Sequence, residues 1–134
     1  MFKLCFKSYG WKMSQGAIKK FKQDTGACLS YTLSCIAERW SDSTGLDQRK
    51  RLNSVMSVCD REKAAYVFFH LCNGSGGNVP IEEFEDSIHR VGDFPNSLDD
   101  EWSYPWPIVL VKLIKDIEDY DKDNRPTKKT VTSE

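Results

Sequence analysis

Three groups of residues in this 134-residue chain have types and spacings that could do chemistry. Asp119, Asp121 and Asp123 stand at the spacing that opens a calcium loop. His70 and His89, with Cys59 and Cys72, are side chains a zinc ion would use, and a Cys–His pair among them could serve as nucleophile and base. Glu82, Glu83, Glu85 and Asp86 could supply paired carboxylates. Each group meets a physical objection. Asn124 stands where a calcium loop needs its turn glycine, Thr130 stands where it needs a bidentate Glu, and no second helix follows. Zinc sites rely on short paired spacings. His70 and Cys72 form the one close pair, and on a helix they diverge, so the sequence predicts packed thiols and partly exposed histidines.

The carboxylates have a simpler reading. Glu82 and Glu83 fall in the first turn after Pro80, where negative charge suits the helix dipole. Glu82, Glu85, Asp86 and His89 share one polar, solvated face. The glycines of Asn73-Gly74-Ser75-Gly76-Gly77-Asn78 lack the Gly-Lys-Ser/Thr of a phosphate loop and no apolar strand precedes them. They read as a flexible helix–helix connection. The expectation is a protein that is not an enzyme, with no catalytic residue, no metal and no cofactor.

The elements that would position these residues are mostly helical. Phe2, Leu4 and Phe6 alternate with Lys3, Cys5 and Lys7, which predicts one short strand that needs a partner, within the fold or on another chain. Ser14 is a helix cap and Gly26 a helix stop. Leu29, Leu33, Ile36 and Trp40 form one helical face, and Leu52, Val55, Met56 and Cys59 another. Asp60 caps a helix that turns Ala64, Ala65, Phe68, Phe69 and Cys72 inward. Pro80 opens a helix with Ile81, Phe84, Ile88 and Val91 on one side. Gly92 to Pro107 reads as a loop, and a last helix carries Leu110, Leu113, Ile117 and Tyr120. The resulting fold class is all-α: a compact bundle of about five or six short helices with a short N-terminal β-strand. Residues 1–121 form the single domain, and 122–134 a flexible polar tail.

Composition sets further limits. The apolar share is 40%, with four Trp, five Tyr and seven Phe, which is not the profile of a disordered chain. Five cysteines, with no C-x-x-C pair, fit free thiols in a reducing compartment better than a disulfide framework. Met1 to Lys7 has no long apolar run, which predicts no signal peptide. No apolar stretch is long enough to span a bilayer. The net charge of -1 is unevenly spread. From Met1 to Gln23 the side chains charged at neutral pH are all lysines, and from Glu82 to Glu101 they are mostly acidic. Such segments would attract a partner, a second copy, or one another within the fold.

Two binding readings follow. The lysines with Phe2, Phe6, Tyr9, Trp11 and Phe21 could engage phosphates and stack on bases. The pI of about 6.1 is far from the basic footprint of a nucleic-acid binder. Trp102, Tyr104 and Trp106, beside prolines, either cover a core edge or anchor a protein interface. With Phe68 and Phe69 they make the candidate protein interface.

Several segments taken together resemble a known family. They are the strand at Met1 to Phe6, Ala17-Ile18-Lys19-Lys20-Phe21-Lys22 with Thr25-Gly26, and Val58-Cys59-Asp60 before an alanine–aromatic helix. They continue with Ile81-Glu82-Glu83-Phe84-Glu85-Asp86, Arg90-Val91-Gly92, and Pro105-Trp106-Pro107. The set is similar to the tail assembly chaperones of long-tailed bacteriophages. The resemblance implies a helical, non-enzymatic protein in the host bacterial cytoplasm. It implies as partners the tape measure protein, held while tail tube subunits polymerise around it, and the tail tube protein itself. It also implies a longer frameshifted form in many members. It supplies no catalytic residues. The alternative is a small phage-encoded regulatory protein that binds nucleic acid through its basic N-terminal segment.

Overall fold

The structure is a computed structural model that describes residues 1–4, 7–74, 76–90 and 105–124. Among them are two strands, β1 (Phe2–Leu4) and β2 (Lys7–Tyr9). Six helices follow: α1 (Gln15–Thr25), α2 (Leu29–Asp42), α3 (Gln48–Met56), α4 (Arg61–Gly74), α5 (Ile81–Arg90) and α6 (Trp106–Asn124). The expected helical class is observed. The expected single strand is in fact half of a hairpin. β1 pairs antiparallel with β2 in the register Phe2↔Tyr9, Lys3↔Ser8 and Leu4↔Lys7. Directly opposed residues share a face of the sheet, so Phe2, Leu4 and Tyr9 point inward and are buried. Lys7, opposite Leu4, is exposed at the rim of that face.

Local chemistry starts and stops the helices where the sequence indicates. The Ser14 hydroxyl accepts from the Ala17 amide at 3.0 Å and so takes up one orphan donor of α1. Gly26 ends the helix with φ 76°, a left-handed value that L side chains rarely adopt, and its amide donates to the Lys22 carbonyl at 2.8 Å. Asp47 and Asp60 cap α3 and α4 by accepting from the amides of Lys50 and Lys63, at 3.0 and 2.8 Å. At α6, Pro107 falls in the first turn, where its missing N–H is no loss. Trp106 opens this helix and is not a loop residue, as the sequence reading had it. The helix also continues to Asn124, past the boundary expected at residue 121.

α4 is the hub. Ala64, Ala65, Val67, Phe68, His70, Leu71 and Cys72 are all buried, so this helix is covered on nearly every side. It packs chiefly against α1 on one flank and α5 on the other. α6 packs mainly on β1, α2 and α3. The segment after α4 is not the slack connection expected from its glycines. The Asn73 side chain donates to the Val79 carbonyl at 3.2 Å and accepts from the Val79 amide at 3.1 Å, which clamps the two ends of the turn. Gly74 is fixed by close approach: a Cβ there would stand 2.6 Å from the Lys12 carbonyl oxygen.

Candidate functional site

The sequence-based interface residues separate when placed in the fold. Phe68 is fully buried and Trp106 is 3% exposed, so both belong to the core of this structure. The physical reason is position: Phe68 lies on the hub helix, and Trp106 is drawn inward at the start of α6. Phe69 is half-buried, edge-on to His70 with ring centroids 4.8 Å apart. Trp102, Tyr104 and residues 125–134 of the expected tail 122–134 lie outside the described residues.

His70 also departs from expectation. Its side chain is buried, and Nε2 lies 2.7 Å from a carboxylate oxygen of Asp24 on α1. Phe21, Tyr66 and Phe69 surround the imidazole. The contact joins α4 to α1 and has the geometry of a structural bond. Cys72, the other member of the close pair, is buried, and burial followed by the Glu83 charge pushes its thiol pKa up. Cys59 is also buried, and burial pushes its thiol pKa up to about 12. Neither is an activated nucleophile, since thiolate character needs the opposite shift. Cys28 is exposed and Cys35 half-buried, so the expectation of packed thiols holds for only part of the set. Among the described residues no group of three His, Cys, Asp or Glu side chains could hold a metal ion.

Among the described residues the basic and acidic segments meet at Glu83. The Tyr9 hydroxyl donates to Glu83 Oε2 at 2.6 Å, and Lys7 Nζ lies 3.6 Å from Oε1. Burial first, and then the neighbouring carboxylate, push the Tyr9 phenol well above its usual range. The hydroxyl therefore remains a donor. Glu82, Glu85 and Asp86 face solvent, as the polar-face reading requires. Around Tyr9 the rings form a cluster. Phe2 stacks on Tyr9 and Phe68 with centroids 5.3 and 5.1 Å apart, and Tyr9 meets Phe84 at 4.9 Å.

Toward α6 the hairpin borders an opening. A cleft of about 390 Å³ runs between β1 and α6, lined by Met1, Phe2, Lys3, Val109, Lys112, Leu113, Asp116 and Asp119 among others. A second, of about 530 Å³, is lined by Trp11, Lys12, Met13, Tyr120 and Asp121. Met1 and Tyr120 are 74% and 58% exposed, so large apolar side chains border both openings. Tyr120 continues the apolar stripe of α6 beyond the core and packs edge-on against Trp11, centroids 5.8 Å apart.

No protein-family model, curated protein or solved structure matches this chain.

The sequence pattern missed this face. Met1 and Tyr120 are far apart in the chain, and the stripe that carries Tyr120 looks like continuous core. Among the described residues, no helix is long and apolar enough to cross a membrane.

Proposed function

We propose that this protein is a non-catalytic binding protein that acts as a phage tail assembly chaperone, with the tape measure protein as client. The client identity comes from the resemblance in sequence. The observation that carries the binding reading is the pair of clefts along α6, edged by Met1, Trp11, Met13 and Tyr120. Apolar side chains bordering open grooves, with Lys12, Lys112, Asp116 and Asp119 beside them, are what an amphipathic helical client requires. The tail tube protein is a second client on the same reading. The test is capture with tagged protein from phage-infected cells, read by mass spectrometry. Recovery of a long helical tape measure protein or a tube subunit is the expected result. Recovery of nucleoprotein, or of a host regulator with no tail protein, rejects the reading.

Nucleic-acid binding is the second reading. Exposed Lys7, Lys12, Lys19, Lys20 and Lys22 favour it. Burial of Phe2, Tyr9 and Phe21 counts against it, because it removes most of the rings that would stack on bases. A steep fall of duplex or single-strand affinity with salt would support it.

A further inference from the structure

The hairpin occupies an unusual place for so short an element. Two strands of three residues have no independent stability, so β1 and β2 keep their form only by docking. They dock between two bodies. Phe2 and Tyr9 lie against Phe68 of α4 and Phe84 of α5, while β1 is the element that meets α6 on this side. Phe2, Val109 and Leu113 line the cleft that separates β1 from α6. The hairpin is thus stacked on the rings of one wall and borders an open cleft beside the other. On the close wall its polar hold includes the carboxylate of Glu83, which receives the Tyr9 hydroxyl and faces the Lys7 ammonium.

We propose that the hairpin is a displaceable strap, and that the seam it closes between the α4–α5 pair and α6 takes the apolar face of an amphipathic client helix. The inference rests on the protein-binding reading above and names its site. Removing the strap uncovers Phe68 and Phe84 on one wall and Val109 and Leu113 on the other. Both walls are helices, and a third helix fits between them by the same ridge-and-groove packing. The charge left behind specifies the client further. Glu83 loses both its hydroxyl donor and its cation when Tyr9 and Lys7 leave, and a half-buried carboxylate without a partner is costly. The client helix therefore carries a Lys or Arg beside its apolar stripe, to take the place of Lys7.

The test uses the full chain, its Tyr9→Phe and Glu83→Gln variants, and two synthetic amphipathic helices, one of Leu and Lys, the other of Leu and Glu. Amide exchange is followed across the chain. The expected result is that hairpin amides exchange faster than those of α4. Tyr9→Phe should speed the hairpin roughly tenfold, the loss of one charge-assisted hydrogen bond, and leave α4 unchanged. The Leu–Lys helix should bind Tyr9→Phe roughly tenfold tighter than the unaltered protein, since the strap opposes its entry. The Leu–Glu helix should not bind. Glu83→Gln should open the strap without gaining preference for the Leu–Lys helix. Hairpin and α4 amides exchanging at one common rate, or equal binding of the peptide to the unaltered and Tyr9→Phe proteins, overturns the strap. A strap that opens and takes the Leu–Lys helix, with no tail protein captured from infected cells, supports the strap and rejects the tail client. A captured tape measure protein with hairpin and α4 exchanging together rejects the strap and leaves the chaperone reading standing.

Discussion

The two flanks of α4 are closed in different ways. Helix meets helix directly on both, and on the α1 side the join carries a buried imidazole bonded to Asp24. On the α5 side a short hairpin is added, lying against the α4–α5 pair and meeting α6, with a polar contact at the edge to Glu83. The first arrangement ties the flank to the folding of the whole domain. The second leaves a short element that, as a strap, parts from the rest without unfolding the helices. Local stability in proteins varies in this manner, with peripheral elements opening below the cost of global unfolding.

Substitutions can break this contrast. Phe68→Ala removes a fully buried ring that touches both the hub and the hairpin. It should lower stability by about 3–5 kcal/mol in urea unfolding and speed exchange across the whole domain. A loss confined to the hairpin would mean that Phe68 belongs to the strap side alone. Asp24→Asn weakens the bond to His70, and its cost should be about 1–2 kcal/mol because Asp24 is partly exposed. That cost should appear as faster exchange in α1 together with α4. If α1 loosens alone, the two flanks are alike.

Alkaline pH sharpens the comparison through the hub itself. The Cys59 thiol is raised from 9.0 to about 12 by burial, so the unfolded chain loses this proton first. The stabilising contribution is therefore complete below pH 9 and is lost as pH rises toward the folded value. At pH 10 the loss should reach about 1 kcal/mol, and Cys59→Ala should remove that pH dependence. Tyr9 shifts in the same direction from 10.0, so its part begins at higher pH and should be absent in Tyr9→Phe. The smallest effect belongs to Ser14→Ala, which removes the cap of α1 and should cost about 1 kcal/mol, with α1 the first helix to exchange.

Much of the helical frame was legible in the residues. Ser14, Gly26, Asp60 and Pro80 mark helix ends through local chemistry, and local chemistry is written in adjacent positions. The inward stripes of α2 and α6 are likewise visible as spacing. β2 was not, because Lys7-Ser8-Tyr9 holds one apolar residue and is recognisable as a strand only opposite Phe2 and Leu4. His70 was misjudged for a related reason. Its partner Asp24 is remote in sequence, although the apolar residues around it on α4 already indicate a helix buried on all sides. The turn at Asn73 looked loose because glycine reports freedom, whereas the clamp is made by one asparagine side chain. At the candidate interface, aromatic identity alone could not separate Phe68 and Trp106, which are core, from Trp11 and Tyr120 at the clefts.

The close approach at Gly74 bears on how far the strap can travel. The Lys12 amide donates to the Leu71 carbonyl at 2.9 Å, and the chain there lies against the end of α4 in space that only glycine leaves open. The hairpin is therefore leashed just beyond Tyr9. A leash of so few residues keeps a released hairpin at an effective concentration on the order of millimolar near its own seat. A client must outcompete that standing supply, so weak apolar segments are turned away and only a helix with several anchors stays bound.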